Sequence, residues 1–227
     1  MSIELLPTTT GARTGQVVSV ELRSDRPVRG RVLVERRGEL VDAVSVDLPA
    51  GREPIQLGVL PRGGYAVTLV PDADGAGSAS ALDELSTAID VLDDPFERPR
   101  YGFLADFGPG RSDVAETVDD LRRLHLNVIQ FYDWMYRHYR LLPPEEEYRD
   151  GMGRPLSLAT VRERLRLVQE AGMAALAYGA VYGAEEEYAR EHPDELLYDA
   201  GGRPHALIDR FHINDPRPGP WRERLLD

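Results

Sequence analysis

The stretch Tyr101–Arg140, YGFLADFGPGRSDVAETVDDLRRLHLNVIQFYDWMYRHYR, limits the possible folds more than any other part of the sequence. Phe103, Leu104 and Ala105 form a short apolar run, closed by Asp106 and the turn formers Gly108, Pro109 and Gly110. Asp113 is a good N-cap, and Glu116 three positions on completes the spacing of a capping box. Val114, Val118, Leu121 and Leu124 then fall on one helical face. His125 closes that helix, where a cation favours the dipole, so its expected role is structural. The next run, LNVIQFY, is apolar at Leu126, Val128, Ile129 and Phe131, the pattern of a parallel strand covered on both faces. Strand, helix and strand at this length make a βαβ unit with a right-handed crossover.

In parallel α/β folds, chemistry collects beyond the carboxyl ends of the strands. Asp106 stands there after the first strand and Asp133 after the second, beside Tyr132, Trp134, Tyr136, Arg137 and His138. Carboxylates accept hydrogen bonds from sugar hydroxyls, and flat rings stack on sugar C–H faces, so this mixture suits a carbohydrate. The competing reading is that Trp134 and Tyr136 roof the sheet. His138, among polar and aromatic neighbours, is either a sugar-hydroxyl contact or a packing residue.

Residues 1–94 read as all-β. QVVSVEL, RGRVLVE, LVDAVSVDL, YAVTLV and ELSTAIDVL alternate apolar with polar or are rich in valine. Turn signals at Ser24–Pro27, Arg37–Gly38, Pro49–Gly51 and Pro61–Gly64 part them, which predicts a small immunoglobulin-like β-sandwich. DADGAGSAS (72–80) reads as a polar loop; its DxDG lacks the glutamate that would close a calcium site at the required spacing. Residues 95–100 are a linker with two prolines.

Downstream, 141–157 is a long connection over the strand ends, and loops of that length tend to be functional or disordered. Thr160 with Glu163 spaces a second capping box, and Leu158, Val161, Leu165 and Val168 line one helix face that Gly172 terminates. MAALAY (173–178) is a third strand, followed by Tyr182. AEEEYAREH (184–192) predicts an acidic helix stopped by Pro193. Residues 196–208 resemble a hairpin with Gly201 and Gly202 at its tip, and Pro220 opens a last helix. Three parallel strands fall short of the eight strands and roughly 250 residues of a closed barrel, so the chain reads as the front part of something larger.

Charge and composition narrow the partners. A net charge of −12 and a pI near 4.9 argue against nucleic acid and anionic membrane. No stretch approaches the roughly 18 apolar residues of a membrane helix. MSIELLPTTT shows no signal peptide, which with the absence of cysteine predicts a cytoplasmic protein, or a secreted one if the true start lies upstream.

At YGFLADF, HLNVIQFYDWMYRHYRLLPP and MAALAYGAVYGAEEEY the sequence resembles glycoside hydrolase family 66, the dextranases and cycloisomaltooligosaccharide glucanotransferases. The match is strongest over 101–183; the sandwich before it and INDP…W (Ile213–Trp221) fit the same layout. The resemblance implies an immunoglobulin-like β-sandwich followed, from residue 101 to 227, by the first part of a (β/α)8 TIM barrel. It implies cleavage or transfer of α-1,6-glucan with retention and without a cofactor. The family's catalytic aspartate and glutamate lie on later strands, so no catalytic residue is assigned in these 227 positions. By position, Asp106, Asp133, Trp134, His138, Tyr178 and Tyr182 resemble lining residues of the donor-sugar pocket, Asp133 and Trp134 foremost. Tyr178 and Tyr182 are equally compatible with packing.

Alternatives from other classes remain on the residues. One is a non-catalytic carbohydrate-binding fragment or degenerate homologue. Another is a metal site from His205, Asp209, His212 and Asp215, whose types suit zinc or iron but whose acids Arg203 and Arg210 would satisfy. A third is phosphate at GPGRSD, where Asp113 and Glu116 oppose an anion. The runs Glu145–Glu147 and Glu185–Glu187 read as solvated faces.

Overall fold

The computed structural model describes residues 3–72, 84–111 and 113–226. All of the DADG motif but Asp72, the rest of its loop up to residue 80, and Ser112 of GPGRSD lie outside the described residues. Contacts divide the chain into two compact units. One comprises Met1–Gly102, Asp113–Ile129 and Leu165–Ala175; the other comprises Phe103–Ser112, Gln130–Arg164 and Leu176–Asp227.

In the first unit, β1 (Ile3–Pro7), β2 (Ala12–Arg13), β3 (Val17–Ser24), β4 (Val28–Arg36), β5 (Glu39–Leu48), β6 (Gly51–Val59), β7 (Gly63–Pro71) and β8 (Leu85–Leu92) form two sandwich-like sheets. Their orders are β1-β3-β6 and β2-β8-β7-β4-β5. Pairing is antiparallel except for the short parallel contact of β2 with β8. The period of two decides what is buried: Val18, Val20 and Leu22 from β3, Val32 and Val34 from β4, Val67 and Leu69 from β7 share one core with Ile55 and Leu57 of β6. Strand β6 has no counterpart among the predicted strands. Pro54 disguises it, yet a proline is tolerated there because β6 is the edge of its sheet. Strand β5 is the opposite case. Its regular alternation predicts a buried face, but it sits at the edge of the five-stranded sheet with Val44, Val46 and Leu48 only half-buried.

The segment that follows the sandwich carries a capped 3-10 turn, Pro95–Glu97, in which Asp94 and Glu97 bond each other's backbone. It is pinned by Asn127, whose Oδ1 accepts from the Arg100 N–H at 2.6 Å and whose Nδ2 donates to the carbonyls of Pro95 and Arg98. Then come β9 (Tyr101–Leu104), α1 (Val114–Arg123), β10 (Val128–Phe131), β11 (Glu147–Arg149), β12 (Pro155–Ser157), α2 (Leu158–Glu170) and β13 (Ala174–Ala177). Strands β13, β10 and β9 make one sheet with β10 central. Its bonds step in the same direction along each pair, from Val128→Arg100 to Tyr132→Leu104 and from Ala174→Asn127 to Tyr178→Phe131, so the sheet is parallel.

Helix α1 departs from expectation at both ends. Asp113 makes no side-chain bond to the cap backbone. At the other end the helix stops at Arg123, which leaves Leu124 as the C-cap, 66% exposed, while Arg122 takes the buried position. Arg122 is satisfied there by donating to the Pro7 carbonyl from Nε at 2.9 Å and from Nη2 at 2.8 Å, and Asp119 holds Arg23 in a fork of 2.7 and 2.9 Å. These arginine bonds tie α1 to β1 and β3. In α2 the cap is Ser157, whose Oγ accepts from Thr160 N; Thr160 is already helical and its hydroxyl donates to the Gly108 carbonyl.

Both helices end in the same device. At α2 Gly172 has φ +75°, with bonds Gly172→Gln169 and Met173→Val168; at α1 the equivalent bonds are His125→Arg122 and Leu126→Leu121. His125 therefore occupies a glycine position with φ +54°. Burial and the neighbouring Arg100 hold its imidazole below the ordinary pKa, so it closes the helix as a neutral ring and not as the expected cation. His125→Gly relieves the left-handed backbone at the cost of a half-buried ring and a looser unfolded chain. It is expected to raise stability by about 0.5–1 kcal/mol, read as an upward shift in urea midpoint with unchanged slope.

Beyond β13 lie β14 (Gly183–Glu185), α3 (Glu186–Glu191), β15 (Ala206–Leu207), β16 (Phe211–Ile213) and α4 (Pro220–Leu226). The acidic helix is shorter than predicted because Ala184 and Glu185 pair as strand with His212 and Phe211. The predicted hairpin over 196–208 reduces to a turn closed by the Tyr198–Pro204 bridge, because Asp199 caps the Gly201 and Arg203 N–H groups. The pairing strands are instead β15 and β16.

Candidate sugar-binding site

The second unit contains a cavity of about 200 Å³ lined by residues that follow β10 and β13 and by β14–β16. Asp133, His138, Tyr178 and Tyr182, four of the six residues picked from sequence, line it. Asp106 and Trp134 do not. Asp106 is exposed and pairs with Arg111 at 3.1 Å. Trp134 donates its indole N–H to the Tyr178 carbonyl at 3.1 Å, tying the end of β10 to the end of β13.

Backbone geometry explains why aspartate stands two residues past each strand. Asp106 has φ +64° and Asp133 φ +55°, in the left-handed region that aspartate and asparagine tolerate best after glycine. At Asp133 this turns the chain out of the sheet and lets the carboxylate accept from Arg154 Nη2 at 2.9 Å. Arg154 also bonds buried Asp150, whose Oδ1 accepts from the N–H groups of Met152 and Arg154. The long connection is thus ordered around β11, β12 and an aspartate-capped turn between them. Arg137, four residues on from Asp133, is engaged elsewhere: it lies 4.1 Å over the Tyr136 ring and donates to Glu187 at 2.7 Å.

The floor is polar and rigid. His138 is buried, with its ring stacked on Phe211 at 4.5 Å and edge-on to Tyr182 at 6.4 Å. Its Nδ1 lies 2.8 Å from the Gly183 carbonyl, which can only accept, so the hydrogen sits on Nδ1. Nε2 is left to serve as an acceptor in a pocket-lining ring whose Nε2 has no bond among the described residues. Both oxygens of Glu185 accept from the His138 backbone N–H at 3.1 and 3.3 Å. Aromatic surface comes from Tyr178, stacked obliquely on Tyr132 at 4.5 Å; burial first and the Tyr182 hydroxyl next raise its pKa, so the phenol stays protonated.

Glu185 escaped sequence reasoning. In EEE it looked solvated, but only its neighbours are exposed: Glu186 pairs with His212 and Arg190, and Glu187 with Arg137 and Tyr139. Glu185 is 5% exposed, and the absence of a side chain at Gly151 makes room for it, since a Cβ there would lie 2.5 Å from Oε1. The usable signal was its offset of one from the helix, in strand register. Burial pushes its carboxyl above the ordinary range, against the partial pull of its backbone bonds and of Arg137. A raised native pKa means the native state holds the proton longer than the unfolded chain. This group's contribution therefore falls as pH rises from about 4.5 through its native value, then stays level. The Tm difference between Glu185→Gln and the parent should move in the variant's favour across that window; a constant difference contradicts it.

The residues considered for metal are dispersed in their bonding: His212 is held by Glu186 and Asp215 by Arg217. No group of three or more potential ligands is gathered among the described residues.

Residues 60–208, more than half of the chain, match Glycosyl hydrolase family 66. Two cycloisomaltooligosaccharide glucanotransferases of Niallia circulans are 32% and 29% identical over 119 residues, which is 49% of this chain and 12% of each relative. The crystal structure of a Paenibacillus sp. cycloisomaltooligosaccharide glucanotransferase with cycloisomaltoheptaose superposes with a TM-score of 0.83 at 21% identity, covering 98% of this chain and 35% of that one. The chain thus spans about an eighth of the curated relatives and about a third of the solved one, and shares the fold of the part it covers. It belongs to glycosyl hydrolase family 66.

Proposed function

We propose that this chain is the sandwich-bearing front part of a glycoside hydrolase or transglycosylase acting on α-1,6-glucan with retention, and that β9-α1-β10-α2-β13 opens its (β/α)8 barrel. Family membership supports the reaction class, and the repeated parallel strand–helix units support the barrel. The cavity beyond β10 and β13 carries the sugar reading: it sets carboxylate and imidazole acceptors beside tyrosine rings, and the two kinds of surface match a pyranose. At about 200 Å³ it is below the ~300–1,000 Å³ of drug-sized sites and suits one glucosyl unit. In this reading Asp133 and His138 Nε2 accept sugar hydroxyls, and Tyr178 and Tyr182 pack on the ring. Trp134 and Arg154 act indirectly, by fixing Tyr178 and Asp133.

A second reading, a non-catalytic carbohydrate binder, is favoured by one observation: Asp133 already has a cationic partner. Calorimetric titration of the chain with isomaltotriose and maltotriose tests the shared core. Isomaltotriose should bind more tightly, and Tyr178→Ala should weaken it. Equal affinity for both sugars, or binding indifferent to Tyr178, counts against the pocket.

A further inference from the structure

The hairpin between β15 and β16 breaks a local rule at the rim of the pocket. Ile208 has φ +50° and Asp209 φ +56°, and the Arg210 N–H returns to the Leu207 carbonyl at 3.3 Å. Two successive left-handed residues are the pattern of a type I′ turn, which glycine and asparagine fill without strain. A β-branched residue there is a genuine outlier. Packing does not compensate it, since Ile208 is 60% exposed and Leu207 43% exposed. The chain therefore carries backbone strain and an exposed apolar tip at the same place, and both residues line the cavity with Met152. Strain with no structural return is found where function maintains it.

We propose that Leu207 and Ile208 form the apolar wall of a glucosyl subsite, gripping the C–H face or linkage methylene of an isomaltooligosaccharide whose hydroxyl edge meets Asp133 and His138. This rests on the sugar reading of the pocket. The chemistry is complementary on the two sides: the floor supplies acceptors, and the rim supplies surface that can only exclude water. An α-1,6 linkage places a methylene between rings, and that group is the part of the ligand an aliphatic wall fits. Asparagine or glycine at 208 would make a better turn and a poorer wall.

The test is a methyl-detected NMR titration of the 227-residue chain with isomaltotriose, on the parent, Ile208→Gly and Leu207→Ala. The Leu207 and Ile208 methyl signals should shift on binding. Loss of about 40–60 Å² of apolar contact weakens Kd roughly five- to tenfold in either variant. Ile208→Gly should also raise Tm by about 2–4 °C because the turn relaxes, whereas Leu207→Ala should leave it unchanged, so weaker binding cannot come from unfolding. If pocket signals shift but these methyls do not, and both variants bind like the parent, the wall is wrong and the sugar site survives. If isomaltotriose moves no signal in the pocket, the sugar reading falls and the wall with it.

Discussion

Asp133→Asn, in a catalytically complete protein carrying this chain, is expected to lower kcat/KM about ten- to a hundredfold while moving Tm little. A charged acceptor contributes about 1.5–3 kcal/mol per hydrogen bond, and each 1.4 kcal/mol is tenfold in rate. The amide loses that charge without disturbing the backbone, because asparagine occupies φ +55° as readily as aspartate. Arg154 is not orphaned by the change, since Asp150 still holds it at 2.6 Å. The opposing account makes Asp133 only the partner of Arg154 in an ordered loop. Under it the variant melts earlier and its folded fraction turns over normally. Kinetics and melting on the same preparation separate the two.

Trp221→Ala should cost about 3–5 kcal/mol of stability, the range for deleting a buried aromatic, and lower Tm by about 10 °C. Trp221 is 1% exposed, its ring lies 5.3 Å from Tyr188, and its indole donates to the Val181 carbonyl at 3.0 Å. That bond anchors the turn that delivers Tyr182 to the pocket, and the neighbouring Tyr182 carbonyl accepts from Asn214 N. Tyr188 in turn donates to buried Glu195 at 2.6 Å. Trp221→Phe keeps most of the packing and loses only the anchor, so it should cost far less stability but still weaken sugar affinity. Circular-dichroism melts of both variants check the order; a Trp221→Ala loss under about 1 kcal/mol would mean the site collapses to fill the gap.

What the residues disclosed in advance follows the range of the forces involved. The period of two in β3, β4, β7 and β8, and the apolar runs of β10 and β13, are local patterns; the first placed the sandwich strands and the second the strands that the pocket residues follow. Four of the six candidate residues meet in one cavity because the segments that follow the parallel strands β10 and β13 converge there, whereas Asp106, which follows β9, pairs with Arg111 instead. Failures came where a single distant contact decides. Leu124 and Arg122 exchanged places because the Pro7 carbonyl, remote in sequence, satisfies a buried guanidinium. Glu185 was hidden because its burial depends on Gly151 and on the His138 N–H. Trp134 left two partners open, because an indole suits both a sugar face and a backbone carbonyl, and the fold brings the Tyr178 carbonyl within reach of its N–H. Ile208 gave no signal at all, since nothing in PHALIDRF announces two left-handed residues.

The central claim is that this cavity, and no surface of the sandwich, receives a glucosyl unit. Diffraction from crystals of the chain soaked in isomaltotriose tests it most directly. The account predicts sugar density in the cavity, with hydroxyls within about 2.6–3.2 Å of an Asp133 oxygen and His138 Nε2 and the ring against Tyr178. Density bound along the sandwich strands with the cavity holding only water would contradict it.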